Sequence, residues 1–140
     1  MYSPAIQLLP TELHPLLNKF YRAQRSQMRV MPGAHCWVAK DSRIIAGLCL
    51  TPLEQGHWLT GLLVAPEYRS QGLAQRLVLQ SLCSTQAPVW LFCHPRLAGF
   101  YEQLGFQRTS ELPEPLDARL RRYVQHKPLI ALAAQPRGTT

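Results

Sequence analysis

The sequence predicts an α+β fold built on a mixed, mostly antiparallel sheet. Three observations lead there. The middle of the chain holds three strand-like apolar runs separated by tight polar turns, the pattern of an antiparallel meander. A helical run then separates the third of these from another short apolar strand, and a strand–helix–strand order calls for a parallel crossover. Finally, the chain has 140 residues, 46% of them apolar and 16% charged, which suits one folded domain rather than disorder.

The elements follow in order. "AIQLLP" is a short first strand. From Thr11, a predicted N-cap, "TELHPLLNKFYRAQ" places Leu13, Leu16, Leu17 and Phe20 on one helical face, with Pro15 tolerated in the first turn. Residues 25–34 are ambiguous. "HCWVAK" and "RIIAGLCLTP" are strands joined at Asp41-Ser42, and "EQG" turns the chain into "HWLTGLLVAP". After Gly72, the residues Ala74, Leu77, Val78, Ser81 and Leu82 keep helical spacing. "PVWLFC" is a buried strand, expected parallel to "LTGLLVA". "RLAGFYEQL" is a helix closed by Gly105 at C′. A strand near 107–111, a loop or helix through 113–126 and a last strand "PLIALAA" complete the domain, residues 1–135, and 136–140 form a frayed tail.

Composition narrows the function classes. Apolar stretches are interrupted at Glu54–His57 too early for a membrane span, and the N-terminal residues lack the pattern of a secretion signal, so a soluble cytoplasmic protein is expected. Cys36, Cys49, Cys83 and Cys93 form no CxxC pair, which favours reduced, buried thiols over a metal site. The net charge of +7 fits an anionic ligand or partner. Arg119, Arg121 and Arg122 cluster near the end, but no aromatic stripe accompanies them, so nucleic-acid binding is disfavoured.

The junction "VAPEYRSQGLAQRL" bears chemistry. A strand running into a helix exposes the first backbone N–H groups, with the positive end of the helix dipole behind them. Gly72 permits dihedrals closed to other residues and lets a bulky anion approach the backbone, while Arg69 adds a charge. The six residues "RSQGLA" alone fit either a phosphate cradle or an ordinary turn.

"RSQGLA" resembles motif A of the GNAT superfamily of acyl-CoA N-acyltransferases, with Arg69, Gly72 and Ala74 at its marked places. "AGFYEQLGF" resembles the family's motif B, and the two stand in the family's order and separation. The resemblance covers roughly residues 5–135 and implies helices on both sheet faces and a parallel strand pair that splays apart. It further implies acetyl-CoA as co-substrate, its pyrophosphate on the amides of Arg69, Ser70, Gln71, Gly72, Leu73 and Ala74. The pantetheine would pair along Leu62, Leu63 and Val64, with an oxyanion-binding amide near Leu63 or Val64, and Gly61 is compatible with a bulge there. Tyr101 matches the general acid. His94 stands where many members carry an asparagine that contacts pantetheine. No carboxylate occupies the central strand, leaving His57, Glu54, Glu67 or water as the base. The implied activity is direct acetyl transfer to a primary amine of a small molecule or peptide, with no metal. The acceptor would meet residues 20–34 and 111–127. A homodimer is compatible with the sequence. The rivals are a catalytically weak acyl-CoA sensor and, from another class, a small basic nucleic-acid-binding domain.

Overall fold

The computed structural model describes residues 4–136. Seven strands form one sheet: β1 (Ala5–Leu9), β2 (His35–Lys40), β3 (Ile44–Pro52), β4 (His57–Val64), β5 (Val89–Cys93), β6 (Gln107–Arg108) and β7 (Ile130–Ala134). Their spatial order is β1-β2-β3-β4-β5-β7-β6, and every neighbouring pair is antiparallel except β4 and β5. The predicted mixed, mostly antiparallel sheet is therefore present. Four α-helices accompany it: α1 (His14–Ala23), α2 (Leu73–Cys83), α3 (Ala98–Glu102) and α4 (Glu114–Tyr123).

Two apolar layers sandwich the sheet. On one face, Leu73, Leu77 and Val78 of α2 and Tyr101 of α3 bury against Leu48, Leu59 and Leu91. On the other, Leu17, Phe20 and Tyr21 of α1 bury against Cys36, Val38 and Cys49. Side chains alternate along a strand, so Trp58 and Phe92, next to Leu59 and Leu91, point to the α1 side. There α4 meets them, with Arg119 over the Trp58 ring and Tyr123 edge-on to Phe92. Helices thus lie on both faces.

Several sequence expectations change. Thr11 is no N-cap: residues 11–13 form a 3-10 turn capped without a side-chain hydrogen bond, and α1 begins at His14. Its buried face is Leu17, Phe20 and Tyr21, while Leu13 and Leu16 stay 38% and 45% exposed. The apolar spacing alone could not say which of two adjacent stripes meets the sheet. The ambiguous segment 25–34 has no helix or strand. The strand near 107–111 shrinks to two residues, and the undecided 113–126 stretch contains α4. Cys36, Cys49 and Cys93 are buried free thiols, but Cys83 is exposed on α2. Most of the expected frayed tail, residues 137–140, lies outside the described residues.

Gly105 holds φ +101°, where a C′ glycine ends a helix. Its N–H donates to Glu102 O at 3.2 Å, and the Phe106 N–H donates to Tyr101 O at 3.2 Å, the paired bonds of a Schellman motif. This stop turns the chain so that Phe106, 1% exposed, packs edge-on to Tyr101. The end of "GFYEQLGF" thus fixes the ring of its tyrosine.

A candidate acyl-CoA cleft between splayed strands

β4 and β5 pair only at His57–Val89 and Trp58–Trp90. Beyond Trp58 the strands separate, while β5 keeps five pairs with β7 on its other side. A wedge opens toward the C-terminal ends of β4 and β5. In it β4 leaves backbone donors and acceptors unpaired on its β5 edge, which need a partner such as water or ligand.

A bulge shapes that edge. Gly47 pairs with Leu63 and Cys49 with Thr60, so Gly61 and Leu62 together oppose Leu48 alone. Gly61 has φ +71°. The bulge is held from α1, because the Tyr21 hydroxyl donates to Gly61 O at 2.8 Å. A Cβ on Gly61 would come within 2.6 Å of that hydroxyl oxygen and 3.0 Å of Met28 Cγ. Tyr21 is fully buried, and burial together with Cys49 holds its hydroxyl protonated far beyond the ordinary tyrosine range. The sequence carried no signal for this role: Tyr21 looks like one more apolar residue of α1.

Antiparallel alternation then decides which amides face the wedge. The Ala65 N–H donates to Ile45 O at 2.8 Å, so Leu63 turns its backbone to β3, and Leu62 and Val64 turn theirs to the wedge. Of the two amides considered for the oxyanion, Val64 is thus the one on the open side. The Val64 carbonyl is already engaged, since Arg69 Nε donates to it at 2.9 Å.

The next residues build the candidate anion site. Pro66–Tyr68 form a 3-10 turn, and the Arg69 N–H closes it on Pro66 O at 3.3 Å. The Arg69 amide therefore closes the turn, and its guanidinium is held beside Val64 by the Nε bond. Ser70 and Gly72 both adopt left-handed dihedrals, φ +63° and +81°. Among the described residues, the N–H groups of Ser70 to Ala74 make no backbone bond outside the helix, and the first amides of α2 have no intrahelical partner. A Cβ on Gly72 would meet nothing within 4 Å, so the positive φ, not crowding, calls for glycine. The open space over it belongs to a cavity of about 360 Å³ lined by Val64, Arg69, Ser70, Gly72, Leu73 and Ala74. Tyr68, Gln75 and Phe100 also line it, and sequence reasoning missed them. Gln75 could have been found as the third residue of α2, one of the four whose amides lack partners.

Tyr101 stands on α3 and packs in the same apolar layer as Cys93, the last residue of β5. It is 8% exposed, with Phe100 and Phe106 edge-on at 5.0 and 5.7 Å. Burial, and then Cys93, push its hydroxyl up to about 12, so it stays protonated at neutral pH. The hydroxyl has no partner in the described residues yet is not among the buried unpartnered atoms, so the oxygen itself touches solvent. A buried ring with an accessible O–H is the arrangement a proton donor needs.

His94 ends β5. Its Nδ1 accepts the Arg96 N–H at 3.1 Å and caps the Pro95–Leu97 turn. This assigns the ring proton to Nε2, leaving a donor for a ligand. The three candidate bases are not brought to the wedge. His57 sits at its closed end, beside Thr85 Oγ1 at 3.2 Å, six residues and roughly 20 Å of strand from Leu63. Burial and then His35 lower its pKa. Glu54 lies in the β3–β4 turn, and Glu67 is 3.7 Å from Arg43 on the surface. In the arginine cluster, Arg119 lies over Trp58 at 4.6 Å and Arg121 pairs with Asp117 at 2.6 Å, so two of the three are engaged internally.

No helix among the described residues is long and apolar enough to cross a membrane. Comparison with known proteins gives the family and the fold. Residues 32–108 match the model of the acetyltransferase (GNAT) domain. No curated protein matches the chain by sequence. Solved structures do match by fold. Escherichia coli ElaA superposes with a TM-score of 0.69 at 16% identity, over 95% of this chain and all of that one. Tetrahymena GCN5 gives 0.70 at 13% identity, over 97% and 98%. N-acetylglutamate synthase from Neisseria gonorrhoeae, solved with coenzyme A and N-acetyl-glutamate, gives 0.70 at 13% identity over 97% of this chain and 36% of that one.

Proposed function

Since the chain belongs to the GNAT family of acetyltransferases, we propose that it transfers the acetyl group of acetyl-CoA directly to a primary amine. The observation that carries this reading is the joining of two features. An anion cradle of free amides at Gly72, Leu73 and Ala74 opens onto a strand edge, at Leu62 and Val64, that has lost its partner. A long ligand with an anionic middle and an amide-rich arm fits both; a free phosphate would need only the first.

In this reading the pyrophosphate takes the amides of Gln71 to Ala74, with the Arg69 guanidinium beside it. The pantetheine arm pairs with Leu62 and Val64 as an added strand, and His94 Nε2 donates to it. The Val64 N–H, held by the bulge, donates to the thioester oxygen as charge builds there. One such donor typically contributes about 3–4 kcal/mol in the transition state. The neutral amine nitrogen attacks the carbonyl carbon, a C–N bond forms and the C–S bond breaks. Tyr101 Oη gives its proton to the departing thiolate and regains one from solvent. The proton lost by the amine leaves through water, because His57, Glu54 and Glu67 all stand away from the wedge. The acceptor approaches between residues 24–34 and α4, where Met28 lies against the bulge and Tyr123 closes on Phe92.

The test is an acetyl-CoA turnover screen over amines, amino acids and peptide N-termini, read as thiol release, with calorimetry of CoA in parallel. Saturable CoA binding and turnover with one amine class are expected. Absence of CoA binding would overturn the reading. Binding without turnover on any amine would instead assign the sensor role, which fits the absence of a carboxylate, among the described residues, from the lining of the cavity over Gly72.

A further inference from the structure

A second cavity, of about 650 Å³, opens on the α1 side of the sheet. One wall is α1 and the other the β2–β3 turn. Its apolar surface comes from Leu16, Phe20 and Ile44, and its polar surface from Lys19, Lys40 and Arg43, with Glu67 the one lining carboxylate. Nothing in acetyl transfer as described above uses any of these residues.

The lining has a definite chemistry. Leu16 is 45% exposed although its neighbour Leu17 is wholly buried, so Leu16 contributes apolar surface that the core does not cover. Among the described residues no carboxylate lies within ion-pair distance of Lys19 or Lys40, and Arg43 shares Glu67 only at 3.7 Å between exposed groups. Such a surface pair holds weakly and can open to a better partner. The cations come from opposite walls, Lys19 from α1 and Lys40 and Arg43 from the hairpin. The volume falls in the range of about 300–1,000 Å³ usual for small-molecule sites. An excess of two positive charges at an apolar hollow of that size is complementary to a small amphipathic anion.

We propose that this cavity is a ligand site, separate from the acyl-CoA cleft, for a small amphipathic carboxylate. Its apolar body lies on Leu16, Phe20 and Ile44, and its head group meets Lys19, Lys40 and Arg43. The two sites share only the turn that follows β4: Ala65 and Glu67 line this one, Val64 and Tyr68 the other. Both can therefore be filled at once.

The probe is anilinonaphthalene sulfonate, a fluorescent amphipathic anion, titrated into the full chain held at saturating CoA, with decanoate as competitor. One saturable site displaced by decanoate is expected. Lys40→Glu and Leu16→Asp should each weaken it about tenfold, as loss of a charge-assisted or apolar contact does. Arg108→Glu, the same charge change on the exposed strand β6, should leave it unaltered. Probe binding that appears only when CoA is left out, undiminished affinity in Lys40→Glu, or equal loss in Arg108→Glu would overturn the proposal. So would sedimentation showing a dimer that Leu16→Asp dissociates, since a second copy would then be the occupant.

Discussion

Replacing Gly61 by alanine tests how the bulge is held. The backbone there has φ +71°, which costs an L-residue about 1–2 kcal/mol. The new methyl would stand 2.6 Å from the Tyr21 hydroxyl oxygen, so that oxygen must move and surrender its bond to Gly61 O. Leaving a buried hydroxyl unsatisfied costs about 1–3 kcal/mol more. Gly61→Ala should therefore destabilise by about 2–5 kcal/mol, some 3 °C of melting temperature per kcal/mol for a chain of this size. Tyr21→Phe removes the oxygen but keeps the ring, at about 1–2 kcal/mol. In the double variant the methyl no longer meets an oxygen and the hydrogen bond is lost only once. The cost of the double variant should fall short of the sum of the two single costs by about 1 kcal/mol or more. Urea unfolding of the four proteins measures this. Additivity within about 0.5 kcal/mol would mean that Tyr21 and the bulge are not coupled, and the account of the bulge would fail. Where the fold survives, Tyr21→Phe should lower kcat for acetyl transfer with KM for acetyl-CoA nearly unaltered, because the bulge aims an amide used in the transition state.

Other expectations concern the cleft directly. Gly72→Glu puts a carboxylate where the proposed pyrophosphate would lie and should abolish CoA binding by calorimetry, while the positive φ costs about 1–2 kcal/mol of stability; unaltered affinity would return Gly72 to a plain turn. Tyr101→Phe should lower kcat by about 10²–10⁴-fold while CoA still binds, and full activity would remove the acid assignment. Tyr101 also predicts an alkaline limb of stability. Its folded pKa, about 12, lies above the unfolded value near 10, so its contribution is complete below pH 10 and lost as pH rises through 12. The loss approaches about 3 kcal/mol, and Tyr101→Phe should make that part of the urea-midpoint profile less steep, the slope that remains coming from buried Tyr21; an unchanged profile would contradict the assignment. His57→Gln should keep most of the activity and its pH profile, whereas a collapse of kcat would show that His57 acts in the reaction despite its place at the closed end of the wedge.

Much of the site was legible because its physics is local. A positive φ at a strand–helix junction asks for glycine, and a helix start leaves amides free whatever surrounds it, so "RSQGLA" was legible as a junction with free amides. Gly105 was legible as a helix stop for the same reason. What the sequence could not show depends on residues far apart in the chain. Tyr21 holds Gly61 from forty residues away, and its spacing fits a core position equally well. The capture of the Val64 carbonyl by Arg69 depends on how the turn after β4 folds back. The face of α1 was misread because Leu13 and Leu16 continue the apolar stripe past the sheet, leaving the hollow beside the β2–β3 turn. The sequence could not choose between His57, Glu54, Glu67 and water, because only the topology shows that none of the three side chains is carried to the wedge.

The most direct test of the central claim is a titration of the isotopically labelled protein with CoA, followed at each backbone amide. The account predicts that the amides of Gln71, Gly72, Leu73 and Ala74 move most, with Leu62 and Val64 next and those around Lys40 unmoved. Shifts confined to residues outside the wedge, or none at all, would contradict it.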